Sequence, residues 1–139
     1  MEKEQRILVP LDGSDCGENV LPKVEELASN LGAGICLLRV TSAHVFPGTD
    51  PTEAEVKVVR EAEEYLNTLE GQLKAKGFDV DAHVRYGNEV EEILDHAAQK
   101  EIDLIAMSRG HRGVKHFVLG CTAEKVLRHA PKHALLVRC

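Results

Sequence analysis

Five short strand-like runs, each separated from the next by a stretch of helical periodicity, constrain this chain more than any other feature. RILVPL (6–11), ICLLRV (35–40) and DLIAMS (103–108) are apolar enough to be buried on both faces, VDAHVRY (80–86) alternates as an edge or half-buried strand does, and ALLVR (134–138) closes the chain. Strands alternating with helices form βαβ units, and right-handed crossovers then give a mainly parallel sheet covered on both faces, a doubly wound α/β domain. Such sheets take ligands outside the carboxyl ends of the strands where the winding reverses. Here those ends are Pro10-Leu11-Asp12, Val40 and Met107-Ser108.

The intervening helices announce themselves by their caps. Val20, Val24, Leu27 and Leu31 repeat at 4, 3 and 4 and Gly32 follows as a stop, while Pro22 requires a helix that begins near Asn19 or one that kinks. Asp50, Pro51 and Glu53 have the arrangement of a capping box, after which Val59, Ala62, Leu66, Leu69 and Leu73 form one apolar stripe ended by Gly77. Asn88 and Glu91 make a second capping pair ahead of Val90, Ile93, Leu94 and Ala97. A last short helix carries Val126, Leu127 and Ala130 up to Pro131.

At 139 residues the chain fits one domain. A composition 43 % hydrophobic and 29 % charged is that of a globular protein, with no apolar run long enough for a membrane span and no signal-peptide pattern in MEKEQRILVP, so a cytoplasmic location is expected. A formal charge of −6 argues against nucleic acid as a partner. The four cysteines, Cys16, Cys36, Cys121 and Cys139, have neither CxxC nor zinc-like spacing, and each is expected to be a free thiol.

Chemistry concentrates in residues 107–131, MSRGHRGVKHFVLGCTAEKVLRHAP, where a glycine-bearing loop leads from a strand into a helix. Glycines let backbone approach a phosphate, and the N–H groups at the helix start, from Cys121, Thr122 and Ala123, point at an anion with the helix dipole behind them. ILVPLDGS near the start, the run from Gly110 to Gly120, and AEKVLRHAPKHALLVR at the end together resemble the universal stress protein family over essentially the whole chain. The resemblance implies a flavodoxin-like, adenine nucleotide alpha hydrolase-like sheet of five parallel strands in the order 3-2-1-4-5. It also implies, in many members, a site for ATP and a homodimer formed through the last strand.

The family's nucleotide-binding loop reads Gly, two residues, Gly, nine residues, Gly, then Ser or Thr. On this chain Gly110 and Gly120 keep the nine-residue spacing, the first glycine falls on Met107, and the Ser/Thr on Cys121. A hydroxyl lost at Cys121 costs about 1.5–3 kcal/mol of a charged hydrogen bond, and Thr122 offers a substitute from a different direction. Met107 either fills the pocket or turns away from it. By resemblance Asp12 contacts the ribose or the phosphate-metal side and Val40 offers backbone to the base; on residues alone Asp12 is equally a turn residue bonding its own backbone, and Val40 a core residue.

The candidate nucleotide site therefore comprises Pro10, Leu11, Asp12, Val40, Met107, Arg109, Gly110, Gly120, Cys121 and Thr122, for ATP or AMP with Mg²⁺. No catalytic residue is assigned, since no positioned base or arginine finger accompanies Arg109 and Arg112. The alternative is a nucleotide-free dimeric interaction module in which Met107 occupies the pocket. Cys121, at a helix start near Arg109, Arg112 and Lys115, is also a candidate redox-sensing thiolate. A metal reading of the seven histidines is rejected: His111, His116, His129 and His133 cluster in sequence, but loop, helix and strand would point them differently and no cysteine or carboxylate joins them at ligand spacing, so no metal site is expected.

Overall fold

The computed structural model describes residues 5–42, 47–48, 50–109 and 122–138. Among these residues the elements in chain order are β1 (Arg6–Pro10), α1 (Asp15–Glu18), α2 (Leu21–Leu31), β2 (Gly34–Thr41), α3 (Pro51–Ala75), β3 (Val80–Tyr86), α4 (Glu89–Ala97), β4 (Ile102–Ser108), α5 (Thr122–His129) and β5 (His133–Val137). All strand pairs are parallel, in the order β3-β2-β1-β4-β5, so the chain winds outward twice from β1 and the reversal lies between β1 and β4. This is the expected strand order, with β5 at one edge. Among the described residues no helix is long and apolar enough to cross a membrane.

The sheet separates two cores. Ile7, Val9, Leu11, Ile35 and Leu37 face α2 and α3, whose Val24, Ala28, Leu66, Leu69 and Leu73 cover them. Leu8, Cys36, Leu38, Ile105 and Met107 face the other way, against Ile93 and Ala97 of α4 and Ala123 and Val126 of α5. Each fully buried aliphatic side chain contributes about 1.5–3 kcal/mol by leaving water, so both faces must be covered for strands this apolar.

The local signals settle as their chemistry requires. The two readings at Pro22 resolve into a break: Ser14 caps α1 by accepting from the Gly17 N–H at 2.9 Å, the chain leaves the helix, and α2 restarts with Pro22 in its first turn, where a missing donor costs nothing. The expected stripe of α2 is corrected at its end, because Leu31 is 59 % exposed while Leu21, Val24 and Ala28 carry the contact. Asp50 caps α3 by accepting from the Thr52 N–H at 3.0 Å, and Asn88 caps α4 by accepting from the Glu91 N–H at 3.0 Å.

Pro10 decides where the sheet opens. Leu11 donates its N–H to Leu38 of β2, so the neighbouring proline nitrogen, which has no hydrogen, faces β4. The β1–β4 ladder correspondingly stops at Leu8 and Ile105, whereas β4 stays paired with β5 through Ser108 and Val137, and Arg109 adds its N–H to the Val137 carbonyl at 2.9 Å. The two central strands thus part at their carboxyl ends.

Candidate functional site

The mouth of this parting is built by β1, α1, β2, β4 and α5. Pro10 and Leu11 are buried at the end of β1, and Asp12 stands exposed just beyond them. Its Oδ1 accepts from the Ser14 N–H at 2.9 Å and the Ser14 hydroxyl at 2.5 Å, so the carboxylate holds its own turn in place. A Cβ on Gly17 would come within 2.6 Å of that oxygen, which is why glycine is needed where α1 passes beneath it.

Ser108, buried at the end of β4, donates its hydroxyl to the Cys16 carbonyl at 2.6 Å and lies 3.2 Å from that of Gly17. This bond fastens α1 across the mouth, 92 residues away in sequence. Cys16 is disulfide-bonded, with a partner outside the described residues, which corrects the expectation of a free thiol there. Cys36 is free, and burial, followed by the nearby Asp81 carboxylate, pushes its thiol up to about 12.

Met107 is 7 % exposed and packs as a core residue on the α4–α5 face of β4. Val40 packs partly buried against the same layer, and Arg109 is exposed, with its backbone N–H already used by β5. The Thr122 hydroxyl donates to Glu89 Oε1 at 2.7 Å, joining the starts of α4 and α5. It is therefore engaged by a carboxylate in this conformation rather than presented to a phosphate. Gly110, Gly120 and Cys121, together with Arg112 and Lys115, lie outside the described residues.

Sequence reading missed Arg39. Its guanidinium carbon stands 5.2 Å from the centre of the Tyr65 ring, and its Nη1 would collide with a Cβ on Gly13, whose φ is +86°. The Tyr65 hydroxyl donates to Glu18 at 2.7 Å, linking α3 to α1, and burial followed by that bond raises its pKa. A cation thus lies over the Asp12-Gly13 turn. The available signal was an arginine inside an otherwise apolar strand, one residue before Val40.

Of the four histidines clustered in sequence, two can be placed. His111 and His116 lie outside the described residues, and His129 and His133 belong to different elements, α5 and β5. Among the described residues His83 and His96 meet, with ring centres 5.0 Å apart beside Cys36. Burial, then the charge of Arg85, lowers the His96 pKa.

The sequence model of the Universal stress protein family matches residues 4–138 of the chain. The universal stress protein YxiE of Bacillus subtilis is 28 % identical over 145 residues, covering 96 % of this chain and 98 % of its own length. Among solved structures, universal stress protein UspA from Lactobacillus plantarum superposes with a TM-score of 0.77 at 26 % identity, covering 99 % of this chain and 100 % of its own. A universal stress protein from Archaeoglobus fulgidus, in complex with dAMP, superposes with a TM-score of 0.68 at 22 % identity, covering 98 % of each chain. Both neighbours share the parallel sheet and its flanking helices.

Proposed function

Because the chain belongs to the universal stress protein family, we propose that it binds an adenine nucleotide, ATP or AMP, in the crevice where β1 and β4 part. The observation that carries this reading is the parting itself: Pro10 ends the β1–β4 ladder at the reversal of strand order, the place where open α/β sheets take their ligands. Asp12 stands at its rim as an oxygen donor suited to a ribose hydroxyl or to the Mg²⁺ that accompanies ATP. Val40 lies at the end of β2 on one side and Thr122 begins α5 on the other. The dAMP complex of the Archaeoglobus relative supports the choice of an adenylate.

We further assign the protein a non-enzymatic role in a cytoplasmic stress response, as a homodimer. β5 is an edge strand whose Leu135, Leu136 and Val137 are only partly covered, and pairing it with a second copy removes that exposed edge. Sedimentation as a monomer overturns the dimer, and phosphate release that scales with protein and vanishes in Asp12→Ala overturns the non-enzymatic role.

A second reading, a nucleotide-free interaction module, is favoured by the buried Met107 and by the Thr122–Glu89 bond. Calorimetric titration with ATP and Mg²⁺, and with AMP, separates the two. Heat of binding that is reduced by Asp12→Ala supports the nucleotide site. No heat at millimolar nucleotide retires it.

A further inference from the structure

We propose that Cys36, His83 and His96 form a binding site for a divalent transition-metal ion of the zinc type, joining β2, the edge strand β3 and α4. Parallel pairing sets Asp81 beside Cys36 and His83 beside Leu38, so residues 81 and 83 project to the same face as Cys36. Helix α4 covers that face and brings His96 down from above. One donor atom from each of Cys36, His83 and His96 lies within 4.8 Å of the others, a sulfur and two imidazole nitrogens. This donor set suits zinc, which binds thiolate at about 2.3 Å and imidazole at about 2.0 Å.

The geometry is already close at one edge. Cys36 Sγ and His96 Nε2 are 3.4 Å apart. Two ligands of a tetrahedral zinc with those bond lengths stand about 3.5 Å apart. His83 must move inward by about an ångström, and it is free to do so because its side chain is 46 % exposed at the sheet edge, which also gives an ion its way in. Cys36 and His96, at 1 % and 4 % exposure, hold the inner positions.

Asp81 supplies negative charge and a carboxylate oxygen as the fourth ligand. Its Oδ2 lies 2.6 Å from His83 Nε2. Its Oδ1 is buried and ion-paired with Arg6 Nη1 at 2.8 Å.

Arg85 opposes the ion. Its Nε donates to His96 Nδ1 at 3.0 Å, which fixes the His96 proton on Nε2, facing the Cys36 sulfur. Binding therefore sends the Cys36 thiol proton to solvent, moves the His96 proton from Nε2 to Nδ1, and displaces Arg85. Glu92 at 3.0 Å and Asp95 at 2.7 Å retain the guanidinium when it leaves the ring. In the ion-free state the same residues form a hydrogen-bonded network, so Arg85 sets the affinity for metal.

The test uses the full chain, stripped with a chelator and titrated with Co²⁺ as a coloured stand-in for Zn²⁺. One Co²⁺ per chain with a thiolate-to-metal charge-transfer band is expected, displaced by Zn²⁺ and lost in Cys36→Ala. His83→Gln, at the surface, weakens Zn²⁺ binding by about tenfold or more, and Arg85→Met tightens it by about tenfold, the scale on which groups bonded to a ligand act. Zn²⁺ raises the melting temperature of the parent chain and not of Cys36→Ala, which reports binding without relying on colour. No thiolate band, a band that persists in Cys36→Ala, or affinity unmoved by both His83→Gln and Arg85→Met overturns the site.

Discussion

At the mouth between β1 and β4 the polar side chains are spent on the protein itself, whereas at the β2–β3–α4 corner they converge on one another. Asp12 bonds Ser14, Ser108 bonds a carbonyl of α1, and Thr122 bonds Glu89. The first holds the turn after β1, and the other two fasten one element to another. At the corner the donors of Cys36, His83 and His96 share one small volume. Substitutions at the mouth should therefore register first in stability, and those at the corner first in ligand affinity.

The strongest challenge to that contrast is Leu38→Ala. Leu38 is fully buried two residues from Cys36 and two from Val40, beneath both regions, and its truncation should cost about 2–5 kcal/mol in chemical denaturation. A cost below 1 kcal/mol, by the same scale, would mean that the two regions do not rest on a common core. Ser108→Ala should cost about 1–3 kcal/mol, because the α1 carbonyls lose a donor at a buried position. If it instead leaves denaturation unchanged and alters only ligand binding, the mouth is not a frame.

Tyr65→Phe sharpens the same point at smaller scale. It removes the bond to Glu18 but keeps the ring under Arg39, and about 0.5–1.5 kcal/mol should be lost in thermal or denaturant unfolding. The smallest effect belongs to Glu89→Gln. Taking a negative charge from beside the start of α5 should raise affinity for an adenine nucleotide by up to about fivefold, while α4 loses about 0.3–1 kcal/mol of favourable charge at its own start. Titration of the two proteins side by side reads the first effect and denaturation the second; weaker nucleotide binding in the variant would show that Glu89 helps hold the ligand.

Most of the scaffold was legible because its signals are local. Asn88 and Asp50 cap where their side chains predict, Gly32 ends α2 at φ +66°, and the apolar runs give the strands whose order the family resemblance implied. Leu31 was misread because periodicity names a face but not how far a neighbouring element covers it. Asp12 was legible as a turn residue, since Asp-Gly bonds its own backbone, yet nothing in the sequence placed Arg39 over that turn. The corner was invisible for a different reason. Cys36 and His96 stand 60 residues apart, and only the pairing of β2 with β3 and the descent of α4 make them neighbours with His83.

Pro10 gives the fold a zipper stop. Any residue carrying an amide hydrogen there, Pro10→Val for example, could extend the hydrogen-bonded seam toward Ala106 and draw the two central strands shut. One ring nitrogen thus keeps a cleft from healing, and a binding protein of this design would be silenced by making its sheet more regular.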